Sequence, residues 1–168
     1  MKNVVGILVA AMVFFAQVAK AEQIGVGYQT TLPSYGLAAT YAVDDLIDIQ
    51  GVLGMWGTFN SYSVRGLYKF KSDGKKYDTY GWGAVGIFTY EGLSCNGFTC
   101  SNDTETAPGF GAGVGVRTNW QAYNPDLPPI YWNLDVGFAN VSFSELNYSY
   151  STIAIGGGLT YYLDTNDL

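Results

Sequence analysis

Pro108-Gly-Phe-Gly-Ala-Gly-Val-Gly-Val-Arg-Thr-Asn-Trp120 alternates without a break. Pro108, Phe110, Ala112, Val114, Val116, Thr118 and Trp120 form one set. Gly109, Gly111, Gly113, Gly115, Arg117 and Asn119 form the other. A period of two predicts a β-strand, because successive side chains leave opposite faces. Four glycines on one face are costly in a strand unless other groups crowd that face. The inside of a small closed barrel is such a place. The opposite face, apolar and ending in Trp120, suits lipid.

Seven further runs share the pattern, and they lead outward from this one. Gln23–Thr31 sets Ile24, Val26 and Tyr28 against Gly25, Gly27 and Gln29. Tyr35–Val43 sets Leu37, Ala39 and Tyr41 against Gly36, Ala38 and Thr40. Leu46–Trp56 opposes Ile47, Ile49, Leu53 and Met55 to Asp48, Gln50, Val52 and Gly54. Ser61–Lys71 opposes Tyr62, Val64, Tyr68 and Phe70 to Ser63, Arg65, Leu67 and Lys69. Tyr77–Tyr90 has an ambiguous facing. Its more aromatic set is Tyr80, Trp82, Ala84, Phe88 and Tyr90. Ile130–Ala139 and Tyr148–Leu163 complete the eight. Ile130, Trp132, Leu134, Val136, Phe138, Ile153, Ile155, Leu159, Tyr161 and Leu163 make their large apolar faces. No segment carries helical periodicity over three turns.

The turns separating the runs are rich in Gly, Pro, Asn, Asp and Ser. Leu32–Ser34, Asp44-Asp45 and Gly57–Asn60 are short, and Ser72-Asp73-Gly74-Lys75 is a hairpin signal. Glu91–Ala107, Gln121–Pro129 and Asn140–Asn147 are longer. The expected fold is all-β: an eight-stranded antiparallel up-and-down transmembrane barrel, closed so that no edge strand is exposed. With both termini on the periplasmic side, the connections at 91–107 and 140–147 face outward. Short periplasmic turns with longer external loops are the usual barrel arrangement.

Residues 1–21 read as a cleaved signal peptide. Lys2 precedes an uncharged apolar stretch, and Ala19-Lys20-Ala21 is a small-x-small cleavage site. Residues 22–168 then form one domain of 147 residues with 6 basic and 14 acidic side chains, net −8. That balance leaves no basic footprint for nucleic acid. Low charge with many Tyr, Trp, Phe and Gly fits a lipid-facing sheet with aromatic girdles, for which Tyr35, Tyr62, Trp82, Trp120, Trp132 and Tyr161 are the candidates.

The signal peptide, the Gly-x-Gly strand at 109–115 and the final strand Gly156-Gly-Gly-Leu-Thr-Tyr-Tyr-Leu163 carry a resemblance. The chain resembles the small eight-stranded outer-membrane β-barrel superfamily of Gram-negative bacteria, the OmpA/OmpX type. It departs from that pattern by continuing to Asp164–Leu168 after its last aromatic strand. The resemblance implies an integral protein of the cell outer membrane, in contact with lipid and lipopolysaccharide. It also implies a monomer with no cofactor, whose loops 91–107 and 140–147 meet any surface partner.

The chemistry the sequence offers is sparse. There is no histidine, the usual general base near neutral pH. Enzymatic barrels of the lipid A deacylase and palmitoyltransferase types rely on a histidine, so far as the resemblance implies. The expectation is therefore a protein that is not an enzyme. Cys95 and Cys100 in an exported chain are expected to form a disulfide, and a metal site lacks further ligands.

Asp48, Arg65, Lys69, Arg117 and Asp135 fall on the inward face and form an expected lumen charge network. Pairing the third and fourth runs about Thr58 and Phe59 puts Asp48 opposite Lys69, with Asp135 diagonal to Arg117. Eight strands leave an interior about filled by side chains, so a plugged lumen is expected. The alternatives are a narrow pore and a small-ligand-binding, lipocalin-like barrel. The inward glycines and alanines leave room for either, and Gln50, Tyr131 and Asn133 are then candidate liners.

Overall fold

The computed structural model describes residues 23–56, 59–72, 76–96, 99–143 and 148–164. The expected signal peptide lies outside them. Eight antiparallel strands follow in chain order: β1 Gln23–Gln29, β2 Gly36–Ala42, β3 Ile47–Trp56, β4 Phe59–Ser72, β5 Tyr77–Asn96, β6 Thr99–Asn119, β7 Ile130–Phe143 and β8 Tyr148–Asp164. Each pairs with the next, and β8 pairs with β1 to close the barrel.

The register fixes the shape. From Gly25 the ladder leads through Thr40, Gln50, Arg65, Ala84, Gly111 and Ala139 to Thr152. On the β8–β1 register Thr152 stands level with position 35, ten residues from the starting Gly25. With strand spacing and rise at their usual values, that stagger tilts the strands by about 40°. Every residue on that path points inward, so one continuous polar and small-residue spiral lines the lumen.

The outward face is apolar. Ile24, Val26, Leu37, Leu53, Val64, Val85, Phe110, Val114, Leu134, Val136, Ile155 and Leu159 are all exposed. At that tilt a residue climbs roughly 2.5 Å, so Leu163 to Ile153 on β8 spans roughly 25 Å of height, about that of an outer-membrane apolar band. Tyr68, Tyr77, Trp120, Trp132 and Tyr161 lie at the termini end of this band with their side chains exposed. Tyr62 stands exposed nearer the other end.

Three expectations are corrected. Trp82 is not a girdle residue: it is 4% exposed, with its indole inside the barrel. The ambiguous β5 turns its aromatic set Tyr80, Trp82 and Phe88 inward, because glycines on β6 leave space for them. Tyr35 is half-buried and stacks on Phe59 at 5.8 Å. The long connections are also shorter than expected. β5 and β6 extend as a ribbon to Asn96 and Thr99, and β7 runs to Phe143, so most of 91–107 is strand. A 3₁₀ turn, Trp120–Ala122, opens the β6–β7 connection, with Asn119 accepting from Gln121 N.

Candidate functional site: the barrel lumen

The glycine row of β6 is occupied space. A Cβ on Gly109 would meet Phe88 at 2.5 Å, and one on Gly111 would meet Pro33 at 2.6 Å. Gly113 pairs with Gly137, and a Cβ on either would approach the Trp82 indole within 2.9 Å and 2.7 Å respectively. A Cβ on Gly115 would collide with the Tyr80 ring and Asp135. The glycines thus form a trough on β6 and β7 into which the aromatic side chains of β5 lie.

The first connection supplies the rest of the filling. β1 stops at Gln29, and Thr30 N donates to Gly157 O at 2.8 Å. The chain then turns into the lumen. Thr31, Pro33 and Ser34 are fully buried, and Leu32 packs against the buried cluster that contains Leu67, Tyr80 and Trp82. Gly156 is required here, since a Cβ on it would lie 2.6 Å from Thr31 Cα. Leu32–Ser34, expected as a short turn between strands, instead lies inside the barrel. Its apolar Leu32 and Pro33 were the one signal that it does not sit in water.

Asp135 is the hub of the middle layer. Its Oδ2 accepts from Arg65 Nη2 at 2.8 Å, Gln29 Nε2 at 2.8 Å, Thr31 Oγ1 at 2.8 Å and Asn133 Nδ2 at 3.2 Å. Its Oδ1 accepts from the Tyr80 hydroxyl at 2.5 Å. Arg65 is buried, donates also to Gln50 Oε1 at 3.1 Å and lies 5.1 Å from the Trp82 ring centre. Gln50 in turn donates to Thr40. These bonds replace much of the hydration lost by a buried ion pair, which is costly unless its donors and acceptors are satisfied, and they leave Arg65 Nε without a hydrogen-bond partner among the described residues.

A second charge layer lies nearer the termini end. Arg117 Nη1 donates to Asp48 Oδ2 at 2.8 Å and to the Tyr162 hydroxyl at 2.9 Å, and Nη2 donates to Asp78 Oδ2 at 3.1 Å. Lys69 Nζ is 3.3 Å from Asp48 Oδ1. Arg117 also lies 5.1 Å from the Tyr131 ring centre. Below this layer a vestibule of 740 Å³ opens, lined by these residues with Asp44, Asp45 and Leu46.

The structure therefore brings all five expected lumen charges inside, in two separate layers. Asp48 pairs across the ladder with Leu67, two residues from the expected partner. Lys69 reaches it diagonally. Arg117 turns to Asp48 and Asp78, and Asp135 is held by Arg65. Asp78 was missed because the facing of β5 was ambiguous. With it, the two layers hold three acids and three bases.

Cys95 faces Cys100 across the β5–β6 ladder. Their side chains lie outside the described residues. Among the described residues no cluster of three His, Cys, Asp or Glu side chains could hold a metal ion.

Comparison with known proteins gives a fold-level likeness. No family model matches, and no curated protein matches. Three solved structures are similar. The N-terminal β-barrel domain of OprF from Pseudomonas aeruginosa is 14% identical, with 84% of this chain and 96% of that one covered and a TM-score of 0.47. Neisserial surface protein A is 16% identical, with 83% and 92% covered and a TM-score of 0.43. The Yersinia pestis outer membrane protein Ail is 17% identical, with 86% and 100% covered and a TM-score of 0.39.

Proposed function

We propose that this chain is an integral outer-membrane β-barrel with a closed lumen and a structural or surface-interacting role, and that it is not an enzyme. The observation carrying this reading is the pairing of an apolar outer wall with a lumen crossed by the Thr31–Ser34 segment, itself bonded to Asp135. A water-soluble barrel binding a ligand needs the reverse, a polar outside and an open apolar inside. A pore needs a continuous water path, which the Arg65–Asp135 layer and Leu32 block.

The β5–β6 ribbon gives this reading a surface. Its strands run to Asn96 and Thr99, past the ends of the flanking strands, and Glu91, Thr104 and Thr106 on it are exposed. We assign any partner contact to this ribbon and to the β7–β8 connection. Lipid and lipopolysaccharide surround the band below. The facing Cys95 and Cys100 would tie the ribbon as a disulfide.

Membrane fractionation tests the location. The folded protein is expected to stay in the outer membrane through carbonate washing, to leave it only with detergent, and to change gel mobility on boiling. Release by carbonate alone would overturn the reading.

Tryptophan accessibility tests the facing. Single-tryptophan variants refolded into vesicles with brominated acyl chains are expected to show strong quenching for Trp120 and Trp132. Trp82, inside the wall, is expected to be quenched several-fold less. Equal quenching of all three would contradict an inward Trp82.

A further inference from the structure

The barrel wall is not equally tall all round. β1 ends at Gln29 opposite Gly158, and β2 begins at Gly36. Beyond them β8 continues from Gly156 back to Tyr148, and β3 continues through Gly54, Met55 and Trp56. Among the described residues no strand covers these two edges. Two strands are absent from this stretch of wall, so the edges stand three strand spacings apart, roughly 14 Å along the wall.

Past Gly157 on β8 and Leu53 on β3, no described strand pairs with the backbone of these edges. Gly157 turns both its N–H and its C=O toward Thr30. By alternation Ile155 and Ile153 turn theirs to the same side, where β1 has already ended. Thr152 Oγ1 covers one of them, donating to Ile153 O at 3.2 Å. Unpaired backbone is unfavourable in hydrocarbon, so such a notch marks a place where something other than a closed wall is needed.

The notch lies within the apolar band. With a rise of roughly 2.5 Å per residue, Gln29 ends only about halfway up it, and Ile153 stands near its top. Met55, Ile155 and Ile153 flank the opening and are 76%, 75% and 72% exposed, the highest values among the large apolar side chains described. Behind the opening lie Tyr35 and Phe59, stacked on each other, and Phe59 stacks in turn on Phe88. No described side chain flanking the notch carries a charge.

We propose that this notch is a lateral lipid site: an acyl chain from the outer leaflet enters between β8 and β3 and lies against Tyr35 and Phe59. The inference rests on the membrane reading above. The occupant follows from continuity, since the notch is an uninterrupted extension of the lipid-facing band. Its rim is apolar, and its polar atoms are the backbone groups of Ile153, Ile155 and Met55, suited to the ester region of an amphiphile. Two whole barrels cannot bring these edges together, because the lower wall formed by β1 and β2 projects beyond them.

The test is photo-crosslinking in outer-membrane vesicles with p-benzoylphenylalanine at Tyr35 and, in a separate variant, at Phe59. Phe110 on the outer wall serves as the lipid-exposed reference and buried Phe88 as the enclosed one. Heat-modifiable mobility confirms that each variant is folded. The expected result is a lipid-mass adduct at Tyr35 or Phe59 at a yield within about threefold of Phe110 and well above Phe88. Yields at both positions no higher than at Phe88, with Phe110 labelled, would overturn the lipid site alone. A polypeptide adduct would overturn it in favour of strand addition. Absence of lipid adducts at Phe110 as well would overturn the membrane reading and the site together.

Discussion

Replacing Gly113 by valine is expected to abolish the folded barrel, while replacing its neighbour Ala112 by valine leaves it intact. The two residues are adjacent in β6 and face opposite ways. Ala112 is exposed on the outer wall, where two added methyl groups meet lipid. Gly113 sits under the Trp82 indole and against Gly137, with Val136 O and Gly137 Cα within contact of any added Cβ. Two of those neighbours are backbone, so side-chain rotation alone does not make room. Overpacking of a core costs about 1–3 kcal/mol where side chains can shift, and more where they cannot. Refolding into detergent followed by electrophoresis without boiling measures the outcome. A compact band for Gly113→Val at wild-type yield would refute the assignment of the glycine row to a filled lumen.

Replacing Asp135 by alanine is the second large effect. Five donors converge on this carboxylate, and its removal leaves the Arg65 guanidinium buried with Gln50 as its acceptor among the described residues. Breaking a buried pair by removing one partner costs about 3–5 kcal/mol, whereas replacing both by apolar groups is often near neutral. The expected result is a fall of that size for Asp135→Ala in urea titrations of the refolded protein. The double variant Arg65→Leu with Asp135→Leu is expected to recover much of the loss. Thr31 also loses its acceptor in both variants, so recovery stays partial. A single variant as stable as the wild type would contradict a buried hub.

The strand count, the facing of seven strands and the lumen charges were legible in the sequence because a barrel wall imposes a strict period of two. Tyr62, Val64, Tyr68 and Phe70 against Ser63, Arg65 and Leu67 leave no second reading. β5 was not legible, since its inward face is as aromatic as a girdle. Only the glycines of β6 and Gly137 of β7, opposite in space rather than in sequence, explain why Tyr80 and Trp82 turn inward. The charge partners were half legible. Arg117 reaches Asp48 across the lumen, a distance that no ladder register reveals, and Asp48 meets Lys69 along a diagonal set by a two-residue difference in hairpin register. The inward turn of Thr31–Ser34 left the weakest trace, because a connection's direction depends on what space the finished barrel leaves.

Glycine at 109, 111, 113 and 115 removes side-chain volume from one strand of the eight, and Phe88, Pro33, Trp82 and Tyr80 take that volume back. On the closed-lumen reading proposed above, aromatic residues of the wall and the Thr31–Ser34 segment occupy this space from two directions.

The closed lumen is tested most directly by conductance in planar bilayers, with insertion verified in the same preparation by protease protection. The wild-type protein is expected to give no steady single-channel steps at physiological salt, because Leu32, the Arg65–Asp135 layer and the Arg117–Asp48 layer lie in series across the path. Steady, reproducible steps from the inserted wild-type barrel would contradict it.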